Sequence, residues 1–276
     1  MRMLYNDNDY IKEEPNVYSY NNIIIDKLNT LFIVDWDDTI FASSLLTTNT
    51  LKKNTLMKRM NRVVDDFINV LYNLGNVIIV TSSRGNWVKL TSEKYFDNNI
   101  QYKLSKMDVY YVEETLKEMG CSNLIRLEDK KSLVFEHVIK KHLIKTDVLK
   151  EFISVFNPLN IISNNKLKYK RDLNIITIGD GIQESNAFFY IQQNSKSFDN
   201  YNLIYKHVEY LQNPDTEILI EENLLVKKMI ELIRNKKRSI YYKLDITNNK
   251  NVFIYEAKIP AYFLVPKMIS YCPNYQ

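Results

Sequence analysis

One stretch constrains the fold of this chain more than any other: a short apolar run, Leu31–Val34, that leads directly into acidic residues. A run of this length and composition is typical of a buried strand in a parallel sheet. The acidic residues Asp35 and Asp37 would then lie at the carboxyl end of that strand. Because open α/β sheets place their ligands at this end, the stretch predicts both a sheet and the position of a functional site.

The two carboxylates are close enough in the chain to serve one substrate. One carboxylate can attack phosphorus and form an aspartyl-phosphate, and a second one nearby can transfer protons. With Asp38 the turn holds three acids, and their mutual repulsion implies a cation, for which Mg²⁺ is suited. A strand followed by an acidic turn is also common without any such chemistry, so the motif alone leaves both interpretations open.

Composition narrows the class of protein. A chain of 276 residues with 45% hydrophobic residues suits one large α/β domain with a sizeable core. A net charge of +4 is compatible with anionic substrates but is too small to argue for nucleic-acid binding. Only two cysteines occur, and no apolar run reaches the length of a membrane span. We therefore expect reduced thiols, no membrane partner, and an intracellular, cytoplasmic location.

The periodicity of the remaining sequence predicts strands that alternate with helices. The predicted strands are 30–35, 76–80, 122–127, 174–178 and 203–208, and the predicted helices are 56–74, 87–97, 106–119, 131–156, 183–193 and 213–237. This alternation predicts a three-layer αβα fold, in which a doubly wound parallel sheet carries helices on both faces.

The two ends of the chain have a different character. Residues 1–29 are predicted as an N-terminal arm and 30–236 as the α/β domain. Residues 237–276 are predicted as an extension packed on the same domain, with a β-hairpin formed by 240–246 and 252–259 around an Asn-rich turn. This hairpin is also the surface through which we expect an oligomer, if one forms.

Polar residues follow two later strands as well. Thr81 comes after one apolar run, and Gly179-Asp180-Gly181 comes after another, with Glu184 a further turn along. In this order the motifs resemble the haloacid dehalogenase (HAD) superfamily. Its signature is an apolar strand with DxDx[TV], a strand with Thr or Ser, a lysine, and GDxxxD or a close variant.

The resemblance covers about residues 30–235. The Asp-Trp-Asp-Asp-Thr form of the first motif, with Asn86-Trp87-Val88 after the second, is similar to a branch seen in protists and large DNA viruses. Dehalogenase members of the superfamily lack an acid at the position of Asp37. The resemblance therefore implies phosphate chemistry, namely a Mg²⁺-dependent phosphatase that hydrolyses a phosphomonoester.

The resemblance also implies a role for each motif residue. Asp35 would be the nucleophile that takes the phosphoryl group. Asp37 would protonate the leaving oxygen and later deprotonate the hydrolytic water. Thr81 would donate its hydroxyl to a phosphoryl oxygen. The Asp35 carboxylate, the Asp37 main-chain carbonyl and Asp180 would hold Mg²⁺, with Glu184 supporting directly or through a water molecule.

The resemblance places one lysine at the start of a helix ahead of the fourth strand. Lys131 fits this position because it opens the long predicted helix. Lys130, Lys168 and Lys170 remain alternatives. The lysine would balance the charges of the phosphoryl group and the carboxylates.

Several neighbours of the motifs have more than one interpretation. Ser82 or Ser83 could supply the second-motif hydroxyl if the strand ran one residue further. Asp38 is expected to hydrogen-bond the turn rather than to bind metal. Trp36 and Trp87 are expected to pack around the site entrance, and substrate stacking is the alternative.

The spacing of the motifs leaves no room for a separate cap domain, so we predict a minimal cap or none. An open site favours a bulky substrate, such as a phosphoprotein. A nucleic-acid end phosphatase or a phosphotransferase is an alternative, supported only by basic residues within 166–171 and 234–238. A second alternative is a catalytically idle HAD scaffold that serves assembly through its C-terminal hairpin.

Overall fold

The computed structural model of the chain describes residues 27–47, 50–121, 129–156, 171–194, 198, 200–247 and 251–258. The strands are β1 (Thr30–Val34), β2 (Asn76–Thr81), β3 (Asp108–Tyr111), β4 (Arg171–Gly179), β5 (Tyr201–Glu209), β6 (Ile240–Ile246) and β7 (Val252–Glu256). The helices are α1 (Thr50–Leu74), α2 (Trp87–Tyr95), α3 (Asn98–Leu104), α4 (Val112–Glu118), α5 (Lys130–Phe156), α6 (Ile182–Gln193) and α7 (Thr216–Asn235), and a 3₁₀ helix spans Ser43–Leu46.

The strands form one sheet in the order β3-β2-β1-β4-β5-β6-β7. All neighbouring pairs from β3 to β6 are parallel, and only β7 is antiparallel to its neighbour. Helices α1, α2, α3 and α7 pack on one face of the sheet, and α4, α5 and α6 pack on the other. The predicted α/β class with a mostly parallel sheet is confirmed, and the arrangement is consistent with a three-layer Rossmann-like fold.

Strand β1 lies between β2 and β4, where both of its faces are covered. Phe32 and Val34 pack toward α1 and α7, whereas Leu31 and Ile33 pack toward α5 and α6. This double burial explains why β1 is a continuous apolar run and not an alternating pattern. The sheet continues into the acidic turn, because the Asp35 amide donates to the Ile178 carbonyl at 2.9 Å.

The third strand is not where the sequence predicted it. The predicted helix 106–119 is wrong in its first part, which forms β3 and pairs with β2, and only α4 is helical. Aromatic and β-branched residues favour a strand here, and pairing with β2 outweighs the helical periodicity. The predicted strand 122–127, residues 1–26 of the predicted arm and 157–170 lie outside the described residues.

The state of the cysteines differs from the expectation based on composition. Cys121 is disulfide-bonded, so the expectation that it is a reduced thiol was wrong. The number of cysteines does not reveal whether the fold brings two sulfurs within bonding distance. Across the described ranges, none of the helices combines the length and the apolar composition that crossing a membrane requires.

The predicted hairpin is confirmed in β6 and β7, and its strands belong to the main sheet. Strand β6 pairs with β5 in parallel, and His207 lies opposite Tyr241 in that register. The rings of these two residues stack with their centroids 5.4 Å apart. Leu244 in β6 is fully buried in the core, so the hairpin contributes to the folded domain.

Glycine is required where α1 meets the sheet. Gly75 directly follows α1, and a Cβ atom at this position would lie 2.6 Å from the Thr30 carbonyl oxygen. This close approach lets the chain turn directly from α1 into β2.

The burial of β6 leads to a test of whether the hairpin stabilises the domain. We expect Leu244→Ala to lower the free energy of unfolding by about 2–5 kcal/mol, because it opens a cavity in the core. Ile246→Ala, in the exposed part of the same strand, should lower it by less than about 1 kcal/mol. Urea unfolding measures both values, and equal values would show that the hairpin is not integrated into the core.

Candidate active site

Three strand ends meet at one edge of the sheet and bring the predicted site residues together. In the register, Val34 of β1 lies opposite Ile79 of β2 and Ile178 of β4. The residues that follow these positions therefore leave the sheet at the same edge. They include Asp35 after β1, Thr81 at the end of β2, and Asp180 after β4.

Lys131, in the first turn of α5, lies between two carboxylates of this edge. Its Nζ donates to Asp35 Oδ1 at 2.7 Å and forms a second, close ion pair with Glu184. The Lys131 side chain is 2% exposed. Of the two predicted lysines that the structure describes, Lys131 contacts Asp35. Lys130 instead pairs with Glu113 at 2.6 Å, and Lys168 and Lys170 lie outside the described residues.

Burial and neighbouring charges together shift the pKa values of Asp35 and Lys131. Desolvation raises the pKa of Asp35 to about 8, with Glu184 and Asp180 adding to the rise and Lys131 opposing it. Desolvation alone would lower the pKa of Lys131, but the Asp35 and Glu184 carboxylates outweigh it and raise that pKa. Lys131 is therefore a permanent cation at this edge. The Asp35 and Glu184 carboxyl groups contact it, and with Asp180 nearby this edge holds more carboxyl groups than one ammonium group can neutralise.

Asp180 and Glu184 come from the loop after β4 and the first turn of α6. Burial raises the pKa of Asp180 to about 7, and the charges of Glu184 and Asp38 contribute to this rise. Glu184 Oε2 is buried without a hydrogen-bond partner. Glu184 folds back over the preceding loop, so that a Cβ atom at Gly179 would lie 2.5 Å from its Cγ.

Asp37 is held by two donors from the segment after β2. Its Oδ1 accepts a hydrogen bond from Trp87 Nε1 at 2.8 Å, and its Oδ2 accepts one from Ser83 Oγ at 2.5 Å. Trp87 and Ser83 were not predicted to contact a catalytic candidate. The order of elements in the sequence could not reveal these contacts, because they depend on how the loop after β2 turns back toward β1.

The three hydroxyl residues after β2 have different surroundings. Thr81 is buried as the last residue of the strand, and its Oγ1 accepts the Ser83 amide at 3.1 Å. Ser82 is exposed and donates to Gln183 Oε1 at 2.8 Å. Ser83 contacts Asp37. Because β2 ends at Thr81, the structure favours Thr81 over its neighbours as the strand-end hydroxyl.

Two residues of the acidic turn are structural. Asp38 has a left-handed φ of 52°, and its Oδ1 accepts the Ser43 amide at 2.9 Å, as expected for a residue that stabilises the turn. Trp36 is fully buried and donates to Thr91 Oγ1 at 3.0 Å. The alternative that Trp36 stacks on substrate was therefore wrong, since the apolar core on this face of the sheet encloses its ring.

Sequence reasoning missed Glu222, a buried carboxyl group on α7. Its Oε1 accepts the Leu211 amide at 2.7 Å, and its Oε2 has no hydrogen-bond partner. Burial raises the pKa of Glu222 to about 8, and the charges of Asp180 and Asp38 add to the rise. A signal was present in the sequence, because Glu222 interrupts the apolar stripe of an amphipathic helix.

The acidic groups suit a hard cation in their chemistry. Their carboxylate oxygens are the ligands that Mg²⁺ prefers, and the unpartnered Oε2 of Glu184 is an orphaned acceptor at this edge. Among the described residues, however, no three His, Cys, Asp or Glu side chains are grouped as a metal site in their present positions. Lys131 lies between Asp35 and Glu184, so these two carboxylates are separated by an ammonium group.

Comparisons with known proteins add no assignment. No protein-family model matches the chain, and no curated protein or solved structure is significantly similar to it.

The raised pKa of Asp180 leads to a prediction about stability and pH. The folded protein holds this proton up to about pH 7, whereas an unfolded chain releases it at its ordinary value of 3.8. The corresponding stability is therefore lost as the pH rises toward and through 7. We expect Asp180→Asn, measured in EDTA, to be more stable than the wild type at pH 8 by about 1–3 kcal/mol, with a smaller gain at pH 5.

Asp172→Asn is the matched control, because Asp172 is an exposed carboxyl group on β4. Its unfolding free energy should follow that of the wild type at both pH values. An Asp180→Asn variant that lost stability equally at pH 5 and pH 8 would contradict the electrostatic account.

Proposed function

We propose that this protein is a HAD-type, Mg²⁺-dependent phosphatase that hydrolyses a phosphomonoester through an aspartyl-phosphate on Asp35. The observation that carries the proposal is the buried contact between Lys131 and Asp35 at the carboxyl edge of the sheet. A second carboxyl group, Asp37, lies in the same turn and is oriented by two hydrogen bonds. A nucleophile, a cation and an oriented proton-transfer group are the parts that this reaction requires.

The first step forms the phosphoenzyme. Lys131 holds Asp35 Oδ1, which leaves Oδ2 as the oxygen that attacks phosphorus. A bond forms between Oδ2 and phosphorus while the bond to the leaving oxygen breaks. Asp37 transfers a proton to the leaving oxygen, so that an alcohol departs and not an alkoxide.

The second step hydrolyses the phosphoenzyme. Asp37, now a carboxylate, removes a proton from a water molecule that attacks the same phosphorus atom. The bond between phosphorus and Asp35 Oδ2 breaks, inorganic phosphate leaves, and Asp35 is restored as a carboxylate. Asp37 ends the cycle with the proton it had at the start, so the protons balance.

Charge stabilisation comes from groups that are fixed before substrate arrives. Lys131 supplies a buried positive charge, and Thr81 can donate its hydroxyl to a phosphoryl oxygen. Mg²⁺, when bound by the Asp35 carboxylate, the Asp37 main-chain carbonyl, Asp180 and Glu184, supplies further positive charge for the phosphate. The carboxyl excess around Lys131 supports this donor set.

The connections that flank the site support an open entrance and a bulky substrate. The described residues between Asp37 and Thr81 form a 3₁₀ helix, α1 and most of β2. Those between Thr81 and Asp180 form α2 to α5 with β3 and β4. These elements belong to the two helical layers and the sheet. We propose a phosphoprotein as the substrate class, because a large phosphoester needs access without a closing cap.

The contacts of Arg234 and Arg238, two basic residues of the stretch 234–238, favour a phosphoprotein over a nucleic-acid end as the substrate. Arg234 Nε donates to Thr30 Oγ1 at 3.2 Å, which is at the start of β1. Asp35 follows the opposite end of that strand, roughly 15 Å away. Arg238 is paired with Glu256 at 2.7 Å. These two arginines therefore do not line the site, and the basic residues 166–170 lie outside the described residues.

The decisive test is hydrolysis of an aryl phosphate in Mg²⁺ and in EDTA. We expect Asp35→Asn to lose at least about 10³-fold in kcat, because the amide cannot act as the nucleophile. EDTA should abolish the wild-type activity. The matched control is Asp38→Asn in the same turn, which should retain activity within about tenfold, since asparagine also tolerates a left-handed φ.

If the Asp35→Asn variant retained the activity of the wild type, Asp35 would be excluded as the nucleophile. A folded wild type with no activity on any phosphoester would favour the idle scaffold instead.

The open site leads to a separate prediction about substrate size. We expect kcat/KM for phosphopeptides to exceed that for small sugar phosphates by at least about tenfold, since remote binding energy can be used only by the larger substrate. Asp35→Asn serves as the blank for each substrate. Rapid turnover of sugar phosphates, with none of phosphopeptides, would show that the substrate class is wrong.

A further inference from the structure

Trp87 links the segment after β2 to the acidic turn. Its indole N–H donates to Asp37 Oδ1 at 2.8 Å. The ring is partly buried and packs edge-on against Phe41, with centroids 6.3 Å apart. Phe41 lies in the same turn as Asp37, since the Asp38 amide donates to the Phe41 carbonyl. The indole is thus fixed against the turn that it contacts.

The two donors to Asp37 differ in what they can do. An indole N–H can only donate, whereas a serine hydroxyl can either donate or accept. Oδ1 therefore remains an acceptor as long as the Trp87 contact is intact. Oδ2 accepts the Ser83 hydroxyl on one lone pair, and its second lone pair remains to carry the proton that is transferred.

We propose that Trp87 is a positioning residue that orients the Asp37 carboxyl group, so that Oδ2 is the oxygen that exchanges protons with the leaving group and the water. This inference rests on the proposed phosphatase function. Trp87 itself does not contact the reacting atoms. It acts by reserving Oδ1 as an acceptor and by preventing the carboxyl group from rotating about its Cβ–Cγ bond.

This role has a kinetic signature that a purely structural role lacks. An alkyl phosphate has a poor leaving group, so its phosphorus–oxygen bond breaks only if the leaving oxygen is protonated. An activated aryl phosphate, such as p-nitrophenyl phosphate, departs as a stable phenolate and needs little protonation. Misorientation of Asp37 should therefore reduce kcat/KM for the alkyl substrate much more than for the aryl substrate.

The experiment measures kcat/KM of the full chain for p-nitrophenyl phosphate and for a simple alkyl phosphate, with Mg²⁺ at constant pH. Trp87→Phe removes the N–H and keeps an aromatic ring. We expect about a 10–100-fold loss with the alkyl phosphate, and less than about threefold with the aryl phosphate. The matched control is Trp36→Phe, which removes the other indole N–H, a group that donates to Thr91 Oγ1 and not to the Asp37 carboxyl group.

Trp36→Phe should leave the ratio of the two kcat/KM values unchanged. If Trp87→Phe folds poorly, replacement of Trp87 by 3-benzothienylalanine keeps the bicyclic shape and removes only the N–H, so the same ratio can be measured. An equal loss on both substrates, in either form, would overturn the inference while leaving the phosphatase proposal intact. A wild type without Asp35-dependent turnover of either substrate would overturn both.

Discussion

The contact on which the rest of this site depends is the buried ammonium group of Lys131 between Asp35 and Glu184. A charge with so little contact with water is tolerated only when opposite charges lie against it. The contact therefore fixes three elements relative to one another: β1 before Asp35, the start of α5, and the start of α6. Removal of the ammonium group would leave two buried carboxylates facing each other, so the arrangement of the site and the stability of the fold share one cause.

A parallel sheet makes this contact possible. Strand β1 is buried on both faces, and its last residues lie in register with β2 and β4. Side chains that are far apart in the sequence, such as Asp35 and Asp180, therefore meet at one edge. The helices on the two faces add further buried charged or titratable groups near this edge, namely Lys131 from α5 on one face and Glu222 from α7 on the other.

Much of this arrangement could be predicted from the sequence. The apolar run before Asp35 and the motifs after β2 and β4 indicated which strand ends meet, because such patterns depend on local burial. The position of β3 could not be predicted, since residues 108–111 have no strong period of their own and pair with β2 only in the folded sheet. The contacts of Asp37 were equally inaccessible, because indole and hydroxyl donors from a loop leave no spacing pattern.

The burial of the sheet on both faces also explains why two tryptophans that the sequence treats alike have different surroundings in the fold. Trp36 and Trp87 both follow motif residues and look equivalent in the sequence. Alternation along an extended chain turns Trp36 into the core beside Phe41 and Phe96. Trp87 opens a helix at the edge of the sheet, where its polar N–H can reach a carboxylate.

This asymmetry between the tryptophans gives the protein an intrinsic optical probe. The chain contains only two tryptophans, and the one in the core is shielded from any ligand by the side chains around it. The emission of the other depends on the charge and hydration of the carboxyl group to which its indole is bonded. In a chain that retains only Trp87, fluorescence would therefore report directly on events at the strand edge, without a label and without a coupled assay.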